Sequence, residues 1–87
     1  MDNEVRIKKV RERQVEFNGK RAKIANALRN LGEEKERMFL AVALGETEPQ
    51  KKAEIKEKIR KLEEELKDLD STIEALEKEE KKLRRYI

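Results

Sequence analysis

The chain has 87 residues, of which 36% are hydrophobic, 3% are aromatic and 49% are charged, and its formal net charge is +3. So short and polar a chain cannot bury a thick globular core, and without cysteine or histidine it has neither disulfides nor the usual zinc ligands. Disordered segments lack a regular apolar spacing such as this one, which therefore predicts an all-α fold of long helices.

The first predicted helix runs from about residue 3 to 44, and Asp2 or Asn3 is expected to cap its start. Gly19 and Gly32 fall inside this helix, where glycine is unfavourable. The apolar pattern nevertheless keeps its phase across both of them, so one continuous helix is favoured over a broken one. Two series of positions, each with a spacing of seven, form its seam: Val10, Phe17, Ile24, Leu31 and Met38, and Ile7, Gln14, Arg21, Leu28, Lys35 and Val42.

A turn at about residues 45–48 follows in the segment LGETEPQKK. Gly45 is suited to end the first helix. Thr47, with Gln50 three residues later, fits a capping box at the start of the next helix. Pro49, the only proline, falls in the first turn of that helix, where a missing N–H costs nothing.

The second predicted helix runs from about residue 48 to 86 and carries a single narrow apolar stripe. Steps of four and three residues connect its members, with Glu80 in the one polar position: Ile55, Ile59, Leu62, Leu66, Leu69, Ile73, Leu76, Glu80, Leu83 and Ile87. A stripe of this period is typical of coiled coils. The whole chain, residues 1–87, is therefore predicted to be one antiparallel two-helix coiled-coil hairpin.

Folding the chain at the turn sets the two stripes face to face, so that Met38 meets Ile55, Val10 meets Leu83 and Ile7 meets Ile87. Gln14 then faces Glu80, which predicts that one polar layer acts as a register pair, with Arg13 or Arg84 near enough to pair with the carboxylate. Alternatively, Glu80 bends outward at a splayed end. Arg21 and Lys35 are expected to lay their stems across the seam and extend their charges to water.

The first helix carries a second apolar stripe that the second helix cannot also cover. Its members are predicted to form a dimer or partner interface: Ala22, Ala25, Gly32, Phe39, Leu40 and Ala43, with Leu44 extending the surface. This pattern predicts a four-helix homodimer with the first helix of each copy at the centre. The alternative is that alanine serves here only as a good helix former.

Catalytic and targeting features are not expected. The carboxylates at 63–65, 68 and 70 fit a solvated helix face better than an acid/base pair, because catalysis needs a desolvated pocket. We therefore expect no enzyme activity, cofactor, metal or small-molecule substrate. No apolar run is long enough to span a bilayer and the N-terminus lacks the apolar core of a signal peptide, so a cytoplasmic protein without membrane contact is expected by default.

Both chain ends are basic, and the hairpin brings them together. Residues 1–31 hold nine lysines and arginines against four acidic residues, and residues 78–87 hold five against two. The side chains that could contact phosphates are Arg6, Lys9, Arg13, Lys20, Lys81, Arg84 and Arg85. The alternative function is therefore binding of a DNA or RNA backbone. The favoured one is a small structural or adaptor protein that acts through protein–protein contacts with itself and an unidentified partner.

The acidic turn offers a third surface, at Glu46 and Glu48. Acidic tips of long helical hairpins occur in transcription factors that reach into RNA polymerase, and the likeness is one of architecture, without a shared motif. A solvated turn is the simpler interpretation. The arrangement resembles small helical hairpins only in general terms, the Rop-type RNA-binding bundle among them.

Overall fold

The computed structural model of this chain describes residues 3–85. This range consists of two α-helices, α1 (Asn3–Ala43) and α2 (Pro49–Arg84), and contains no β-strand. The helices lie side by side in a rod of 64 × 15 × 14 Å. Arg11 near the start of α1 pairs with Glu80 near the end of α2, so the helices are antiparallel. The predicted all-helical fold is confirmed, and this arrangement fits the predicted hairpin.

The first helix runs unbroken for 41 residues, through both Gly19 and Gly32. It ends at Ala43, and Gly45, two residues later, has a φ of 72° in the left-handed region that favours glycine. The Gly45 N–H donates to the Val42 carbonyl at 3.1 Å, and the Glu46 N–H donates to the Ala41 carbonyl at 2.8 Å. These two bonds form a Schellman motif, which satisfies carbonyls that the helix end would leave unpaired. For the predicted N-terminal cap, Asp2 lies outside the described residues and Asn3 lies within α1.

The start of α2 differs from the predicted capping box. The N-cap residue is Glu48, not Thr47, and no side chain bonds to the free N–H groups of this helix end. Pro49 explains the difference, because a residue before proline is held in the extended region, and Glu48 has φ −81° and ψ 145°. Pro49 thus fixes Glu48 as the last residue before α2, and Thr47 lies one position too early in the sequence to be the N-cap. At the other end Arg85 is the C-cap, and the predicted boundary at residue 86 lies outside the described residues.

The two stripes face each other and form a thin core. Four side chains between residues 3 and 85 are buried: Ile7, Val10, Ile55 and Leu83, with exposed fractions of 5–8%. Ile7, Val10 and Leu83 form one cluster at the open end, against which Leu76 packs. Val10 and Leu83 thus lie in the same cluster, while Ile87, the predicted partner of Ile7, is outside the described residues. Nearly all other stripe residues are half-buried, because a pair of helices leaves each seam open along both edges.

Candidate interaction surfaces

A polar layer interrupts the apolar seam near the open end. The Glu80 side chain is only 18% exposed and accepts hydrogen bonds from three side chains. Arg11 Nε donates to it at 3.0 Å, Gln14 Nε2 at 3.2 Å and Arg84 Nη2 at 2.8 Å. The hydrogen bond from Arg11, and then that from Gln14, holds the pKa of Glu80 below its ordinary value of 4.5. Glu80 is therefore an ionised carboxylate that bridges both helices.

The structure brings Gln14 and Glu80 together, and of the two arginines expected near this carboxylate, Arg84 pairs with it and Arg13 does not. Arg13 Nη1 instead donates to Glu16 at 2.9 Å, one turn along the same helix. A partner three residues away requires little ordering of the chain, and it competes well with a carboxylate on another helix. Arg11 takes the place across the helices. Arg21, expected to extend its charge to water, pairs with Asp70 of α2, and Lys35 is half-buried.

The second apolar stripe of α1, here called the outer face, lies to one side of the seam. Its members are Val15, Ala22, Ala25, Gly32, Phe39 and Ala43, joined at positions 18, 29 and 36 by polar residues. Leu40, which was predicted to belong to it, lies about 100° around α1 from Phe39 and borders this face. At 100° per residue, the middle of this face lies about 100° around α1 from the middle of the seam. Ala25 and Gly32 are half-buried, whereas Ala22, Phe39 and Ala43 are exposed. The other helix therefore leaves most of the outer face uncovered.

Large apolar side chains are exposed at the turn end of this surface. Phe39, Leu40 and Leu44 are 61%, 59% and 63% exposed. Lys52 of α2 places its Nζ 4.3 Å from the centre of the Phe39 ring, which covers one side of that ring only. Beside the ring lies a shallow groove of about 400 Å³, lined by Gly32, Lys35, Glu36 and Phe39. The turn end of α1 thus offers both a projecting ring and a recess.

Two exposed valines were not among the predicted interface residues. Val15 is 74% exposed and lies seven residues before Ala22, so it continues the outer face towards the open end. That spacing was visible in the sequence and could have identified it. Val5 is 60% exposed but does not lie on the outer face, and an isolated exposed valine is ordinary on a protein surface.

Two opposite charges also lie on the outer face. Arg29 and Glu36 are exposed, and neither forms an ion pair with another residue between 3 and 85. They are seven residues apart, which places them on the same side of α1 at about 10 Å along its axis. Within one hairpin they are too far apart to meet, so their charges are open to a partner.

The basic open end carries more internal ion pairs than its composition suggests. Among the candidate phosphate contacts, Arg6 pairs with Glu79 at 3.3 Å and Arg84 with Glu80 at 2.8 Å. Arg13 and Lys20 both pair with Glu16, at 2.9 and 3.5 Å. Only Lys9, Lys81 and Arg85 form no ion pair within residues 3–85. A phosphate would have to displace carboxylates from more than half of the predicted contact residues.

Between residues 3 and 85, no group of three acidic, histidine or cysteine side chains is arranged to hold a metal ion. Neither helix, over its described length, has an apolar segment long enough to cross a bilayer. Glu46 and Glu48 are exposed at the turn. The surfaces with a defined geometry are thus the polar layer, the outer face of α1 and the open end.

Comparison with known proteins gives no match to a protein-family model, to a curated protein or to a solved structure.

Proposed function

We propose that this protein is a small structural or adaptor protein whose coiled-coil hairpin acts through protein–protein contacts, beginning with a second copy of itself. The observation that carries the proposal is the exposed apolar surface at the turn end of α1. Phe39, Leu40 and Leu44 each leave 59–63% of their surface in water. Contiguous apolar patches of this kind mark interaction sites on soluble proteins, whereas single exposed residues do not.

The position of the outer face supports an assembly of four helices. In such a bundle each central helix contacts two neighbours at about 90° to each other. The seam of α1 and its outer face are about 100° apart, which matches that requirement, and α2 has no comparable second stripe. A dimer with α1 of each copy at the centre would bury the seam of α1 and much of its outer face, and would leave the charged outer side of α2 in water.

The alternative proposal, binding of a nucleic-acid backbone at the open end, has less support. Arg6, Arg13 and Arg84 are already paired with carboxylates, and releasing them would offset part of the gain from phosphate contacts. The carboxylates at this end would also face the phosphates. Lys9, Lys81 and Arg85 form no ion pair within residues 3–85 and remain as contacts for weak binding that would be lost at high salt.

The proposal is tested by comparing Phe39→Glu with Val5→Glu in sedimentation equilibrium. The two wild-type side chains are equally exposed, at 61% and 60%, so the hairpin itself should tolerate either change. Only Phe39 lies on the outer face, where a buried carboxylate without a partner would be costly. We expect Phe39→Glu to weaken self-association by at least about tenfold and Val5→Glu to leave it within a factor of about three.

Circular dichroism of both variants provides the control for folding, and both should keep the helix content of the wild type. If Phe39→Glu and Val5→Glu weaken self-association equally, the outer face is not the interface. If the wild type is a monomer at every concentration, the proposed dimer is wrong.

A further inference from the structure

We propose that the two copies of α1 pair antiparallel about a two-fold axis at Gly32, so that Arg29 of each copy contacts Glu36 of the other. The inference rests on the proposed dimer and specifies its direction and register. It starts from the unpaired charges of Arg29 and Glu36 on the outer face and from the projecting ring of Phe39.

The outer face is complementary to itself in this register. With Gly32 against Gly32 of the second copy, Phe39 faces Ala25 of the second copy. One layer away, Arg29 faces Glu36 of the second copy, and Ala22 faces Ala43 of the second copy. The largest apolar side chain therefore meets a small one, and each charge meets its opposite. The two-fold axis repeats every contact, as isologous interfaces require.

Registers that differ from this one by a whole heptad place like charges together. Sliding one copy by seven residues keeps the apolar stripe aligned, but in one direction it sets Arg29 against Arg29 of the second copy. In the other direction it sets Glu36 against Glu36 of the second copy. A parallel pairing in register opposes both residues to themselves. Like charges in contact across an interface are strongly disfavoured, so charge favours this register over the heptad-shifted registers and over the parallel pairing.

The pairing explains why residue 32 is a glycine, whereas the single hairpin does not. A methyl group added at Gly32 would meet no atom within 4 Å of it in the single chain, while glycine inside a helix is intrinsically unfavourable. At a two-fold axis the absent side chain lets two helix backbones approach closely. The groove beside Gly32 and Phe39, with Glu36 in its wall, then receives the guanidinium of Arg29 from the second copy, next to the stem of Lys35.

Pairing about Gly32 makes the dimer staggered, because residue 32 lies towards one end of α1. The paired segments, residues 22–43, overlap over about 33 Å, and the two open ends point in opposite directions about 90 Å apart. The second copy therefore adds length as well as stability. The product is a rod with two identical basic ends, which can hold two partner molecules apart.

The first test is charge reversal measured by sedimentation equilibrium on the full chain. Arg29→Glu sets two carboxylates together at each contact, and Glu36→Arg sets two guanidinium groups together. We expect each single variant to self-associate about tenfold more weakly than the wild type. An equimolar mixture of the two should recover an affinity within about threefold of the wild type, because each contact then pairs opposite charges. Arg37→Glu, an exposed change away from the outer face, should have less than a threefold effect.

The second test is directional cross-linking, which is free of background because the chain contains no cysteine. A short bis-maleimide linker should join Ala22→Cys to Ala43→Cys in a mixture of the two variants, and neither variant to itself. Self-linkage of Ala22→Cys alone would show a parallel pairing and overturn the inference. Absence of recovery in the charge-reversal mixture would overturn the register.

Failure of the proposed dimer and failure of the pairing about Gly32 give different experimental results. A wild-type monomer at all concentrations removes both the proposed dimer and this pairing. A dimer that is sensitive to Phe39→Glu but indifferent to Arg29→Glu and Glu36→Arg keeps the dimer and removes the pairing about Gly32.

Discussion

Glu80 is the residue at which the seam stops being apolar, and its contacts explain why it is tolerated there. A carboxylate that is 18% exposed would be unfavourable without partners. Arg11 and Gln14 reach it from α1, and Arg84 reaches it from its own helix. The polar layer thus ties α1 to α2 at one level. We interpret it as a device that disfavours those slipped registers that would set the carboxylate against Phe17 or Val10.

The lowered pKa of Glu80 predicts how this layer responds to pH. A carboxylate with a lowered pKa in the folded state stabilises the fold above its ordinary pKa, and that stabilisation is lost as the pH falls through the folded-state value. We therefore expect Glu80→Gln to lower the melting temperature at pH 7. The difference from the wild type should shrink as the pH falls below 4.5 and disappear in more acidic solution. Thermal unfolding followed by circular dichroism measures both.

Glu57→Gln is the matched control. The pKa of Glu57 is also lowered, chiefly by a hydrogen bond from Arg60, but that contact lies within α2 and does not join the helices. Its replacement should change the melting temperature less than the replacement of Glu80 does. Equal effects of the two variants at pH 7 would show that Glu80 contributes nothing beyond a local helix contact.

At the scale of the elements, the three glycines are expected to respond in different ways to replacement by alanine. Gly45 has a φ of 72°, and an alanine in that conformation costs about 1–2 kcal/mol. Gly19 is helical and an added methyl group meets nothing within 4 Å, so Gly19→Ala should stabilise the fold by about 0.5–1 kcal/mol. Urea denaturation at a fixed protein concentration gives both free energies of unfolding.

Gly32→Ala distinguishes the effect of an added methyl group on helix stability from its effect on self-association. In the single hairpin its environment is as open as that of Gly19, so both alanines should raise helix stability alike. Only Gly32→Ala should weaken self-association, because its methyl group enters the two-fold contact. If Gly19→Ala and Gly32→Ala leave self-association equally unaffected, Gly32 does not lie at a close contact. If Gly45→Ala is not destabilising, the turn does not need its left-handed residue.

The elements themselves were largely predictable, because each depends on neighbours in the sequence. The helix end at Gly45 and the stripe of α2 follow from local rules of capping and period. The predicted capping box at Thr47 was wrong because two local rules competed there. The preference of Thr47 for the N-cap position was overridden by the restriction that Pro49 imposes on the residue before it. Spacing alone did not show whether Arg13 or Arg84 would pair with Glu80, because a flexible side chain has several carboxylates within reach.

At the scale of the whole molecule, the hairpin is a rod with too little core for its length. In the described range, residues 3–85, four side chains are buried, and all belong to the seam between α1 and α2. The outer face of α1 was predictable in outline from its spacing of seven, although Val15 was missed. What covers that face cannot be read from periodicity, since an apolar stripe accepts any complementary helix. Charge placement at Arg29 and Glu36 is what favours a second copy.

The most direct measurement of the central claim is small-angle X-ray scattering of the wild-type protein at micromolar concentration. We predict a mass twice the 10.3 kDa of one chain and a longest dimension of about 90 Å. A particle of 10.3 kDa no longer than the 64 Å of a single hairpin would contradict self-association through the outer face of α1.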